Sequence, residues 1–415
     1  MIDRITILGG SSVYIPEFVL SVISRNLPVK EIVLLGRPGR KLDVVSKFCQ
    51  RLVDRSGFPV SVTSATDLAE AVTGAKYVLN HVRVGGMKAR MRDEMLPPDF
   101  DMFGDETLGA GGFAKALRTL PVVFEQARAI QKVNPEAYFI NLTNPMGVVV
   151  EALVRYSKLK VVGVCDLPGA YKRKVAEVLE RDASELNVDY LGLYHLGWIQ
   201  DVRVDQRSCM GYLLEALEHH ADDEFDKDLI QLFRMIPTRT AGYYFHRTQL
   251  MKKQKNGGRF RAQVLHEAEG QILRLYEDEH LCEIPELTRQ RNAVWYDETI
   301  APLICALEKA EEEELVVCLR NGDSIRDLPK DCSVEVPAAV SQNGIAARKV
   351  GSLPRFVRGL FIAFKESERL TIEAVRHKSY DCALQALAIN PFVPCIDTAK
   401  RFLDRLIKEE KFELH

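Results

Sequence analysis

Between residues 2 and 166 the chain alternates short apolar runs with stretches of helical periodicity, and this alternation constrains the fold more than any other feature. "RITILGG", "EIVLLGR", "VSVTSA", "YVLNHVRV", "AYFINLT" and "LKVVGVCD" have the length and the Val/Ile/Leu content of strands. "EFVLSVISR", "KLDVVSKFCQRLVDR", "KALRTLPVVFEQARAIQKV" and "MGVVVEALVRYSK" intervene with helical spacing. Apolar strands joined by helices predict a parallel sheet covered on both faces, in a doubly wound α/β arrangement.

After Asp166 helices dominate: "YKRKVAEVLERD", "FDKDLIQLFRMI", "RAQVLHEAEGQILRLYEDE", "TIAPLICALEKAEEEE" and "DTAKRFLDRLIKEEKF". "VDYLGLYHLGWIQDVRVD" and "ELVVCLRNG" interrupt them as β-runs. The chain therefore divides into a Rossmann-type domain over 1–166 and an α+β domain over 167–415, packed on the carboxyl edge of the sheet. The acidic run Glu311–Glu314 reads as a solvated helix end, and Lys252–Arg261 as a polar loop, either mobile over a cleft or simply connecting.

A formal net charge of -2 provides no field for nucleic acid or an anionic membrane. No apolar run reaches bilayer length, the N-terminus lacks the layout of a signal peptide, and the nine cysteines contain no CxxC pair. These features predict a cytoplasmic protein whose cysteines are reduced.

Candidate sites follow from strand ends, where parallel sheets keep their chemistry. Gly9, Gly10, Ser11 and Ser12 follow the first strand and open a helix. Their position and sheet context favour the approach of a dinucleotide pyrophosphate, with a tight turn and Ser12 as helix cap as the plain alternative. The second strand ends "LLGRPGRK", with Gly36 where an NAD site carries an acid and Arg37 beside it. Three readings fit: a 2′-phosphate and hence NADP, a site that has lost its nucleotide, or a turn into a basic helix. "KVVGVCDLPGA" places Cys165 and Asp166 together at another strand end, with helix-capping as the plain alternative for Asp166.

"ITILGGSSVYIPE", "RVGGMKARMRDEMLP", "GDETLGAGGFAKALRTLP", "FINLTNPMGVVVEAL", "GVCDLP", "GLYHLGWIQDV", "IPTRTAGYYF", "GLFIAFKESERLTIEA" and "ALQALAINPFV" occur in one order across nearly the whole chain. The ordered set resembles glycoside hydrolase family 4, which includes 6-phospho-α- and 6-phospho-β-glucosidases. The resemblance implies NAD and a divalent metal, usually manganese, a phosphorylated sugar substrate, and a homodimer or homotetramer. It also implies a route without the two-carboxylate displacement: oxidation at C3 of the sugar, loss of the C2 proton to a base, departure of the glycosidic oxygen, addition of water and return of the hydride.

On the matching positions, Cys165 and His195 would hold the metal, and Asp166 would protonate the leaving oxygen, as in members acting on α-linked sugar phosphates. Asn144, Glu106, Arg90 and Arg261 would bind the sugar or its phosphate. The pattern breaks at the base: by spacing from Pro237 the expected tyrosine is Thr240, with Tyr243 and Tyr244 on roughly the same helical face. Tyr194 replaces the usual asparagine before the metal histidine, "QRNAVWY" stands for "RGGAYYS", and Ser11 stands for a third glycine. Tyr243 becomes the candidate base. The alternative is a dehydrogenase- or epimerase-like relative, or a sugar-phosphate- or nucleotide-binding protein with impaired chemistry.

Overall fold

The computed structural model describes residues 1–220, 224–291 and 293–415. Six parallel strands come first: β1 (Ile2–Leu8), β2 (Val29–Leu35), β3 (Ser61–Ala65), β4 (Ala75–Asn80), β5 (Tyr138–Asn141) and β6 (Lys160–Gly163). They lie in the order β3-β2-β1-β4-β5-β6, so the direction of winding reverses between β1 and β4. Ile2, Ile5, Ile7 and Leu8 of β1 are fully buried, as a strand covered on both faces requires.

The helices covering the sheet carry the apolar stripe that the sequence shows. In Arg40–Ser56, Leu42, Val45, Phe48, Cys49, Leu52 and Val53 face inward, and Gly57 ends the helix at a φ of 66°. Phe48 stacks on Tyr276 with ring centroids 3.9 Å apart, which ties this helix to the later helix Arg261–Tyr276. Each fully buried side chain of this size contributes about 2 kcal/mol from area removed from water.

The C-terminal strands do not form a separate layer on the carboxyl edge; they extend the same sheet. They are β7 (Leu186–Leu193), β8 (Leu196–Val204), β9 (Arg207–Ser208), β10 (Ile236–Pro237), β11 (Glu313–Arg320), β12 (Ser333–Ser341) and β13 (Gly344–Ala347). The path continues from β6 through β11, β12, β7 and β8 to β10, with antiparallel pairing throughout.

Two further expectations are corrected. The helix near residue 300 ends at Leu307, and Glu313 and Glu314 open β11, so the acidic run is solvated but is no helix end. Lys252–Arg261 is a loop only over residues 257–260: Arg247–Asn256 is helical, and Gln254 exchanges two 2.8 Å hydrogen bonds with the backbone of Gly104. Among the described residues no helix is long and apolar enough to cross a membrane.

Candidate active site

At the carboxyl ends of the strands, beside the β1–β4 reversal, lies a cleft of about 570 Å³. The turn after β1 forms its floor. Gly9 and Gly10 donate their N–H groups to the Leu35 carbonyl at 3.0 and 2.8 Å, which stitches the turn to the tip of β2. Gly9 has a φ of 90°, and a Cβ there would stand 2.5 Å from the His81 carbonyl oxygen. Only glycine allows the turn to lie this close to the end of β4. Ser11 and Ser12 line the cleft. Ser12 is not the helix cap: the helix starts at Ile15, and Ser12 Oγ accepts only a 3.4 Å bond from the Tyr14 N–H.

The cleft is cationic. Arg37, Lys41, Arg83, Lys115 and Arg291 line it, against a single lining carboxylate, Glu269, among the described residues. Glu269 pairs with Lys41. Beneath the cleft Glu106 is buried and gathers Arg83, Arg90 at 3.2 Å and Lys115 at 2.6 Å. Burial opposes its charge, but these three cations hold its carboxyl well below the usual range. Burial pushes the Lys115 ammonium down to about 7 against the pull of Glu106.

Arg291 was not singled out by sequence, because one arginine near a helix start carries no pattern. Its guanidinium lies over the rings of Tyr14, at 4.8 Å, and Trp295, at 5.0 Å, and has no ion-pair partner among the described residues. Burial, then Arg83 and Arg90, lower it to about 10. His81 was missed as well. It bonds the Tyr296 hydroxyl at 2.7 Å through Nδ1, and burial followed by Arg291 lowers its pKa to about 3.

At the end of β5, Asn144 brings the cleft to the cysteine and histidine. Its Oδ1 accepts the Tyr194 hydroxyl at 2.6 Å, and its Nδ2 donates to Thr107 Oγ1 at 3.4 Å. The Tyr194 ring lies 4.0 Å from the His195 ring, and Tyr194 and Cys165 belong to the same buried cluster. Tyr194 thus joins Asn144, His195 and Cys165 into one cluster, a role that a lone tyrosine in a β-run does not announce. Burial, then the charges of Glu335 and Asp166, push the Cys165 thiol well above its ordinary value. Burial, then Arg239, lower His195 to about 3, so its ring is a neutral donor.

His195 sits in the two-residue turn between β7 and β8 at a φ of 65°. Thr238 Oγ1 donates to its carbonyl at 2.9 Å, and Thr240 Oγ1 donates to the same oxygen. The hydroxyl at the position expected for the base therefore braces the histidine. Nor do Thr240 and Tyr243 share a helical face. Arg239–Ala241 is a tight 3₁₀ turn, the short helix Gly242–Phe245 follows, and Tyr243 packs on Phe103 at 4.2 Å. Burial, then Asp105, push the Tyr243 hydroxyl up.

The remaining candidates are dispersed around this cluster. Asp166 occupies the N-cap position of the helix Leu167–Val178, but its side chain makes no capping bond; the Leu167 N–H goes to Cys165 Sγ at 3.4 Å. Arg90 is buried against Glu94 and Glu106. Glu94 in turn accepts the Ala262 N–H at 2.8 Å, at the start of Arg261–Tyr276. Arg261 is exposed, reaching the Arg291 carbonyl at 3.5 Å.

Comparisons with known proteins bear on this arrangement. The family described as Family 4 glycosyl hydrolase matches residues 4–181, and its C-terminal domain matches residues 190–393. A probable 6-phospho-beta-glucosidase of Bacillus subtilis is 33% identical, covering 98% of this chain and 96% of its own. The structure of a 6-phospho-beta glucosidase from Thermotoga maritima with manganese, NAD+ and glucose-6-phosphate superposes with a TM-score of 0.91 at 31% identity, covering 100% of both chains. A 6-phospho-alpha-glucosidase from gut microorganisms, in complex with NAD and glucose-6-phosphate, gives 0.90 at 26% identity, covering 100% of this chain and 99% of its own.

Proposed function

The chain belongs to glycosyl hydrolase family 4, and from that premise we propose that it hydrolyses 6-phospho-glucosides with a nicotinamide dinucleotide and a divalent metal ion. One observation carries the reading. A single cationic cleft runs from the glycine turn to Asn144, whose Oδ1 accepts the Tyr194 hydroxyl, and the Tyr194 side chain packs against His195 and in the same buried cluster as Cys165.

The residues fit both cofactors. The turn that only Gly9 permits leaves backbone near the cleft floor, at the strand reversal where dinucleotides lie. A neutral imidazole and a thiol form a donor pair for a divalent cation, and the thiol gives up its proton on binding. When bound, the nicotinamide supplies a hydride acceptor, and the cation polarises a sugar oxygen. The chain does the rest. Arg291, without an ion-pair partner among the described residues, and Arg83 and Lys115 above Glu106 suit a 6-phosphate. Asn144 orients a sugar hydroxyl, and Asp166, beside Cys165, offers a proton to the departing oxygen. Glu106 and Arg90 act from below, by setting the cations of the cleft, and Arg261 acts at its rim. Tyr243 reaches the sugar only by leaving Phe103.

The Thr240 hydroxyl, spent on the His195 carbonyl, favours the second reading, in which the sugar is oxidised at C3 but C2 is deprotonated poorly. Relatives named 6-phospho-beta-glucosidases are the more identical, while Asp166 resembles the α-specific members. Both anomers therefore enter the test. With manganese, dinucleotide and reductant, the protein is expected to release nitrophenol from a p-nitrophenyl 6-phospho-glucoside and to exchange the C2 hydrogen with solvent deuterium. Reduced nicotinamide accumulating without cleavage would establish the second reading, and neither signal would leave only binding.

The same reading includes a cytoplasmic location, supported by nine free cysteines. It also includes a homodimer or homotetramer, supported by exposed Phe356, Ile362 and Ile389. Residues 1–166 would carry the dinucleotide, and 167–415 most of the sugar and metal contacts.

A further inference from the structure

The tip of β2 faces the adenosine half of any dinucleotide whose pyrophosphate rests on the turn after β1. No carboxylate stands there. The Leu35 carbonyl is taken by Gly9 and Gly10, the Gly36 N–H goes to the Ala65 carbonyl at 3.1 Å, and the next side chain is Arg37. Arg37 is exposed, lines the cleft and has no ion-pair partner among the described residues. Its basic neighbours are different. Arg40 pairs with Glu277 at 2.5 Å, and Lys41 pairs with Glu269. This end of the cleft therefore holds one unbalanced guanidinium, a Lys–Glu pair of zero net charge and the lining residue Thr66 from the end of β3. A ribose diol asks for a carboxylate acceptor. The single lining carboxylate, Glu269, comes from the helix Arg261–Tyr276, not from β2, and is committed to Lys41.

Resting on the dinucleotide reading above, we infer that the cleft prefers a 2′-phosphorylated dinucleotide, NADP(H), with Arg37 and Lys41 meeting the 2′-phosphate. A guanidinium fork matches two phosphate oxygens, and two negative charges suit the uncompensated cation.

The test is calorimetric titration of the full chain with NADP+ and NAD+, without metal or sugar, and with adenosine 2′,5′-bisphosphate against 5′-AMP as probes of the ribose end alone. The phosphorylated member of each pair is expected to bind at least about tenfold tighter, with a preference that shrinks as salt rises. Arg37→Ala should bring the ratio towards one, Arg37→Glu should invert it, and Arg37→Lys should keep part of it. Because Arg37 is exposed, these variants are expected to fold. NAD+ binding as tightly as NADP+, or tighter, overturns the inference and leaves the dinucleotide reading intact; that result would assign the ribose to Glu269. Failure of both nucleotides to bind overturns both.

Discussion

At the scale of single residues, the unusual feature is a histidine held on a left-handed backbone by two threonine hydroxyls. Thr240→Val keeps the shape and removes one of the two donors to the His195 carbonyl. We expect a loss of about 1 kcal/mol in urea unfolding and weaker manganese binding in a direct titration. A second prediction concerns Glu106. Glu106→Gln leaves Arg83 and Lys115 crowded without their counter-ion and Arg90 with Glu94 alone, at a cost of about 3 kcal/mol. Adding Lys115→Met should recover part of it, measured in the same denaturant series. Cys165, Asn144 and His195 stand out as candidates in the sequence because strand ends and motif order single them out, and the structure brings them near one another. The duty of Thr240 was not legible. Its hydroxyl reaches His195 across 45 residues, and only the pairing of Ile236 and Pro237 with Ile199 and Trp198 brings the two segments together.

At the scale of elements, the β7–β8 hairpin sets the position of His195, and its packing is tight. A Cβ on Gly197 would meet the Tyr190 hydroxyl at 1.9 Å, and that hydroxyl donates to buried Glu335 at 2.9 Å. Gly197→Ala should therefore cost about 2 kcal/mol in thermal or urea unfolding, although a helix- or surface-located glycine would tolerate the same change. Five of the six parallel strands were readable as apolar runs, while β3, "SVTSA", alternates and is mostly exposed. β12 was not, since "SVEVPAAVS" interrupts its apolar character with a glutamate and a proline, and burial along its whole length erases any alternation. The acidic run misled for a related reason. "ALEKAEEEE" has good helix formers, but β12 offers hydrogen bonds along the full length of β11, and tertiary pairing overrides propensity.

At the scale of the whole molecule, a partly buried histidine lining the cleft couples stability to pH. His81 titrates near 6.5 when unfolded and near 3 when folded, because burial disfavours its charged form. Its depressed pKa means that the full stability is present above about pH 6.5 and drains away as pH falls towards 3. Between pH 6.5 and 4.5 the wild type should lose about 2 kcal/mol more than His81→Gln, whose amide oxygen can still accept from Tyr296; melting curves across that range would read the difference.

The continuous sheet also has a bearing on how the chain is made. β6 receives its outer neighbour from β11, a segment that leaves the ribosome long after the first six strands are complete. During synthesis the nascent half carries a bare flank, ready to stick to other copies, until residue 320 has emerged. A chain stopped after residue 166 would remain in that waiting state permanently, and we expect it to be recovered in the pellet rather than the supernatant of a cell lysate.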